Sequence, residues 1–276
     1  MGGEYSVTDS LVEGREGDIP IRDYLPDRPG ARTPLLWVHG GGFVLGGLDM
    51  KEPDAPARHL AAQGRWVRTI DYRLAPNLGL FSEPKLGAAP GRFPDAHNDV
   101  LDVAEAMRAD AGPIHIGGAS AGANLVAGAV LALRDRGAPL PRAVALVYGA
   151  FHSVLPDDVT VENALRGPIA RWFFNPVMTR RMYLNYVGDD SQFSNSYAFP
   201  AEAELTGFPP TLSVDASNDR IRSSGTAFHL QLTTAGVPAE HLVVTAKHGF
   251  LGTPRHRAFA TGMSAMGEWL QKHDTT

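Results

Sequence analysis

The chain has no cysteine. That excludes disulfides, thiolate metal sites and a cysteine nucleophile, and it fits a reducing cytoplasm as the expected location. Long hydrophobic runs are also missing: nothing approaches the length needed to span a bilayer. The segment from Met1 to Asp18 is polar and lacks the apolar core of a secretory signal. Basic excess is absent too. The net charge is −5, so there is no electrostatic footprint for nucleic acid. The histidines show no H-E-x-x-H or comparable ligand spacing, so no metal and no other cofactor is expected. No internal repeat is visible.

What is present is alternation. Short apolar runs lie at Leu35–Val38, Trp66–Tyr72, Ile114–Ile116, Ala143–Tyr148, Thr211–Val214 and Leu242–Ala246. Continuous apolarity over so few residues predicts strands buried on both faces, as in a parallel sheet. Helical patterns fall between and after them, over 53–63, 94–109, 121–136, 223–235 and 254–272. Gly64, Gly137 and Gly236 sit where left-handed helix caps belong. Strand–helix alternation predicts an α/β fold with a mostly parallel central sheet flanked by helices. Tyr5–Thr8 and Ile19–Leu25 read as an entry hairpin at one edge. The chain is long enough for one large domain, with a core built from 1–150 and 201–276. Two segments break the pattern. Leu74–Phe93 carries several prolines and glycines and reads as a long irregular loop. Residues 151–200 form an aromatic-rich insertion, read as a cap or lid, against the plainer reading of a peripheral subdomain with its own small core.

The chemistry-bearing motif is Gly118-Ala119-Ser120-Ala121-Gly122, between a strand-like run and a helix-like run. A serine on a tight strand-to-helix turn is pushed out beyond the sheet edge, and the flanking glycines let the backbone turn that sharply. A serine hydroxyl is a weak nucleophile and needs a base and an orienting acid. His39-Gly40-Gly41-Gly42 follows the first core strand. Its bare backbone N–H groups could face a developing oxyanion. Neither a Lys-Ser/Thr pair nor a G-x-G-x-x-G spacing follows, so a nucleotide-cradling loop is a poor reading. Asp219 and His248 follow two later strands, and strand-end loops of a parallel sheet gather at one edge. Asp215 competes with Asp219 for the acid, and nine other histidines compete with His248. Only His248 follows the last core strand and precedes the final helix.

Taken together these residues resemble the hormone-sensitive-lipase-like family of bacterial esterases, with the α/β-hydrolase fold. The resemblance rests on His39-Gly40-Gly41-Gly42, Asp71-Tyr72-Arg73-Leu74-Ala75-Pro76, Gly118-Ala119-Ser120-Ala121-Gly122, Asp219 and His248-Gly249-Phe250, in the family order. It implies Ser120 as nucleophile, His248 as general base and acid, and Asp219 as the orienting carboxylate. It also implies oxyanion donors at the N–H groups of Gly41, Gly42 and Ala121, with His39 holding the glycine loop. The implied activity is serine carboxylesterase action on a small-molecule ester of short acyl or aryl type. An acyltransferase or a tailoring hydrolase for a specialised metabolite would use the same groups, and a non-catalytic small-molecule-binding relative would lack one of them. Dimers are frequent in such families, so a homodimer is carried as the analogous state. The chain departs from the family at Ala119 and Ala123, where an acidic residue and glycine are usual, and at Arg220, where proline is common. Little chain precedes the first core strand, so the usual helical N-terminal cap is not expected. The rim then falls to Leu74–Phe93 and residues 151–200.

Overall fold

The computed structural model describes residues 3–27, 32–76 and 91–274. Eight strands form one sheet in the order β1-β2-β4-β3-β5-β6-β7-β8. They are β1 (Tyr5–Gly14), β2 (Gly17–Pro26), β3 (Leu35–Val38), β4 (Val67–Ile70), β5 (His115–Ala119), β6 (Val144–Val147), β7 (Thr211–Asn218) and β8 (Ala239–Lys247). From β4 to β8 every neighbouring pair is parallel, while β1 and β2 are antiparallel additions at one edge. The expected hairpin is therefore present and longer than its apolar residues alone suggested. Most of β1 is exposed, whereas β3 to β6 are buried at every position. That contrast is the physical basis of the pattern: a strand covered on both faces has no polar side to alternate.

Helices cover both faces. α1 (Lys51–Ala61) and α8 (Arg257–Lys272) pack Leu60, Met263, Met266 and Trp269 against one face. α2 (Asp95–Ala111), α3 (Ala121–Asp135) and α7 (Arg222–Thr234) pack Val100, Leu125, Val130 and Phe228 against the other. The expected helices are all found, with ends shifted by up to three residues. Gly64, Gly137 and Gly236 take φ of +87°, +66° and +77°, as their capping positions require.

Between β6 and β7 the chain forms α4 (Val159–Ala164), α5 (Gly167–Trp172), α6 (Pro176–Val187) and a 3₁₀ turn at Asp190–Ser194. Phe151, Phe174, Met182, Tyr183, Tyr186 and Phe199 from this stretch join the same apolar cluster as α2 and α3. The segment does not pack around a core of its own. Its outer surface is unusually apolar, with Ile169, Trp172 and Val177 each mostly exposed. The irregular loop expected over Leu74–Phe93 falls for the most part on residues 77–90, outside those described. Its two flanks meet, Gly91 N–H donating to the Leu74 carbonyl at 2.9 Å.

One boundary matters for the chemistry. β7 continues past Val214 to Asn218, so Asp215 lies inside the strand and not in the loop after it. A register irregularity lies between Ala216 and Asn218, and the last pair with β8, Asn218 with Lys247, brings the strand end that leads to Asp219 beside the residue before His248.

Candidate active site

Ser120 occupies the turn between β5 and α3 with φ +53° and ψ −120°, a left-handed conformation costly for a residue with a Cβ. Neighbours hold it there. Its N–H donates to the Val147 carbonyl at 2.8 Å, and its own carbonyl accepts from the N–H groups of Ala123 and Asn124. Gly118 and Gly122 make the turn possible. A Cβ on Gly118 would stand 2.6 Å from the Gly122 carbonyl, and a Cβ on Gly122 would overlap the carbonyl oxygens of Val38 and His39. The elbow is thus wedged against β3 with no room for a methyl group.

Three strand ends converge on the serine hydroxyl. His248, directly after β8, has Nε2 3.0 Å from Ser120 Oγ and Nδ1 2.6 Å from Asp219 Oδ2. The carboxylate can only accept, which assigns the imidazole proton to Nδ1 and leaves Nε2 free to accept from the serine. Asp219 is buried, and its other oxygen accepts from the Ile221 N–H at 3.1 Å. The imidazole lies between two rings, Tyr148 and Phe174, each with its centroid 4.8 Å away. Both take positive φ, +39° for Tyr148 and +54° for Phe174, so strained backbone gathers around this histidine. The rival acid is engaged elsewhere. Asp215 is buried and receives His241 Nε2 at 2.8 Å, a pair formed across the β7–β8 ladder. Burial holds the Asp215 carboxyl above its ordinary range, against the smaller lowering pull of the His241 hydrogen bond.

The glycine loop after β3 packs on the elbow. A Cβ at Gly40 would touch Ser120 Cβ at 3.0 Å. Gly41 and Gly42 have φ of +123° and +60°, and the Gly41 carbonyl accepts from Val44 and Leu45. Among the described residues no hydrogen bond claims the N–H of Gly41 or Gly42. Ala121 opens α3, where the first-turn N–H groups have no partner within the helix. Gly42 lies under Met182 of α6, so the inserted segment covers the loop. His39 is fully buried, donates through Nδ1 to the Gly40 carbonyl at 2.6 Å, and stacks on Tyr72 at 4.2 Å. Burial pushes its pKa down to about 4, so the ring stays neutral. The Tyr72 hydroxyl donates to the His39 carbonyl at 3.1 Å. Its neighbour Arg73 is tied to the buried carboxylate of Asp99 at 2.6 Å. The Asp71–Pro76 motif thereby braces the glycine loop from behind.

Sequence reasoning missed Tyr148, Phe174 and Met182. The aromatic richness of the insertion was the available signal for Phe174, whereas nothing in periodicity marks which ring will face a histidine. Of the three departures, Ala119 and Ala123 are wholly buried in apolar surroundings. Arg220 makes contacts that a proline could not. It pairs with Glu162 of α4 and donates to the Arg171 carbonyl of α5 at 3.0 Å. The turn that carries Asp219 is therefore tied to two helices of the insertion.

Known proteins agree with this architecture. A family profile described as alpha/beta hydrolase fold matches residues 35–252. The carboxylic ester hydrolase LipN of Mycobacterium tuberculosis is 32% identical over 89% of this chain, and the chain spans 64% of LipN. The esterase LipI of the same organism is 32% identical over 90% of this chain and 76% of its own length. A solved esterase from Pyrobaculum calidifontis superposes with a TM-score of 0.84 and 27% identity, covering 100% of this chain and 88% of that one. The match over most of its length places this chain in the α/β-hydrolase fold family, in the hormone-sensitive-lipase-like branch of esterases.

Proposed function

We propose that the protein is a serine carboxylesterase that hydrolyses small esters of short acyl or aryl type through an acyl-enzyme. The observation that carries this reading is the unbroken hydrogen-bonded line Ser120 Oγ, His248 Nε2, His248 Nδ1, Asp219 Oδ2 where the strand ends converge. In the proposed reaction His248 takes the Ser120 proton as Oγ attacks the ester carbonyl. The oxyanion forms facing the N–H groups of Gly41, Gly42 and Ala121, each worth about 10²–10³ in rate. His248 then protonates the leaving alcohol, and a water molecule, activated in the same way, releases the acid. Asp219 keeps the imidazole in the accepting tautomer and stabilises its charged form. Met182 and Phe174 make the inserted segment a cap over the acyl or alcohol side. The relatives named as esterases support the same reading.

The test combines turnover with labelling. Hydrolysis of p-nitrophenyl esters from acetyl to dodecanoyl should be fastest for the short chains. A p-nitrophenyl phosphonate should add one phosphonyl group, mapped by mass spectrometry to Ser120. Turnover of no ester, or a label on any other residue, would overturn the proposal. The cytoplasm is the proposed location, supported by the lack of cysteine, and a homodimer the proposed state on family analogy. Cell fractionation and sedimentation test these separately. Among the described residues no helix is long and apolar enough to cross a membrane.

A further inference from the structure

Glu52 is the second residue of α1 and is buried, directly behind the glycine loop. Its Oε2 accepts from the Gly40 N–H at 3.1 Å. Its Oε1 is sealed from solvent and has no hydrogen-bond partner among the described residues. A carboxylate in such a place is anomalous. Among the described residues no cation pairs with it, and an ionised oxygen with neither water nor donor is strongly disfavoured. The titratable groups that face it are two phenols, Tyr72 from the turn after β4 and Tyr148 from the turn after β6. Burial holds both phenols neutral, well above their ordinary range. From the loop itself comes His39, also neutral, whose Nδ1–H holds the Gly40 carbonyl. The 3₁₀ turn Phe250–Gly252 packs on α1 and carries no titratable side chain; at Gly252 an added Cβ would stand 4.0 Å from the Glu52 Cβ.

We infer that Glu52 is a positioning residue for the oxyanion loop: its carboxyl fixes the Gly40 peptide, and so fixes how Gly41 and Gly42 present their N–H groups beside Ser120. This rests on the esterase reading. Both polar backbone atoms of Gly40 are held by buried side chains, the N–H by Glu52 and the carbonyl by His39. Gly40 is also the residue whose Cα lies against the nucleophile elbow. With both ends of that residue fixed, the next two glycines begin from a set direction despite their backbone freedom. The acid works in its neutral form. Burial raises its pKa to about 8, and an ionised Glu52 would put a negative charge behind the loop that must stabilise an oxyanion. The sign follows: neutral below about pH 8 and active, charged above it and inhibitory.

The experiment measures kcat and KM for p-nitrophenyl acetate from about pH 6 to 10 in wild type, Glu52→Gln and Glu52→Ala, a range that brackets the Glu52 pKa of about 8. It adds the Gly40 amide proton shift of the wild type and Glu52→Gln across the same range. Wild type should lose kcat with a midpoint near about pH 8. Glu52→Gln keeps an acceptor oxygen that cannot ionise, so it should match wild type at about pH 7 and hold its plateau beyond about pH 9. Glu52→Ala should lose about 10²-fold in kcat with KM within about threefold, the scale of a displaced oxyanion donor. The Gly40 shift should titrate near about pH 8 in wild type and stay flat in Glu52→Gln. An unchanged alkaline limb in Glu52→Gln, or full kcat in Glu52→Ala, would overturn the assignment and leave the esterase reading standing. A wild type inactive on every ester would instead remove the esterase reading, and the inference that rests on it would go too. The Gly40 shift would then report only whether this carboxyl holds the peptide, and a flat wild-type shift would deny even that.

Discussion

Ser120→Ala is expected to lower kcat on p-nitrophenyl acetate by about 10⁶-fold, the scale on which loss of a triad serine is felt. Unfolding free energy should change by no more than about 0.5 kcal/mol, since alanine meets the same φ of +53° with the same Cβ. Asp219→Asn should cost about 10⁴-fold. The amide can donate to His248 Nδ1 and so favours the tautomer with the proton on Nε2, which cannot accept from Ser120. Asp215→Asn supplies the contrast. Its partner is His241 and not His248, so kcat should stay within a few-fold while stability falls as a buried pair is broken. Steady-state kinetics on the three variants, with urea unfolding beside them, decide the matter. Equal losses for Asp215→Asn and Asp219→Asn would mean that the two carboxylates act as one unit. A serine variant retaining even a thousandth of the rate would point to another nucleophile.

Gly122→Ala should have the largest effect on folding. In an exposed helix interior this change gains up to about 1 kcal/mol, because alanine is the better helix former. At Gly122 the added methyl would overlap the carbonyl oxygens of Val38, the last residue of β3, and His39, the next one, and these are backbone atoms that cannot rotate aside as a side chain would. The gain is overwhelmed, and a loss of about 4 kcal/mol or more is expected. Gly267, in the last turns of α8, is the opposite case. A Cβ there would meet only the Gln63 side-chain oxygen at 3.5 Å, ordinary contact with a flexible partner. Gly267→Ala should therefore stabilise by about 0.5–1 kcal/mol. Urea denaturation of both variants tests the pair. Two changes of the same sign would show that the elbow has slack the packing does not allow.

The two cases show what can be read before the fold is known. Gly118 and Gly122 are legible because a sharp strand-to-helix turn forbids side chains at fixed offsets from the serine, and offsets are a property of sequence. The buried parallel strands are legible for a similar reason, since covering both faces erases polar positions. Asp215 shows where this fails. A charged residue reads as the end of an apolar run, yet β7 continues through it because His241 answers it from the neighbouring strand. Pairing across a ladder depends on register, and register cannot be seen in one strand. Glu52 is harder still. On the sequence it is an ordinary acidic residue in the first turn of a helix, where carboxylates are common. What distinguishes it is the glycine loop laid over it by a different part of the chain. Phe174 and Tyr148 belong with it: an aromatic residue announces that it will be buried, not what it will be buried against.

The apolar outer surface of α5 has an optical consequence. Of the four tryptophans, Trp37 and Trp269 are buried, Trp66 is partly covered, and Trp172 is 65% exposed. An indole in water emits further to the red than one in a core, and an ion such as iodide reaches it first. The quenchable fraction of the intrinsic fluorescence therefore belongs to the inserted segment, whereas the blue remainder belongs to the sheet and its flanking helices. Trp172 lies one residue from Phe173, whose ring meets Phe174 at 4.5 Å, and Phe174 in turn meets His248. The molecule thus carries, without any label, a light-emitting group at the outer end of a chain of rings whose inner end is the imidazole.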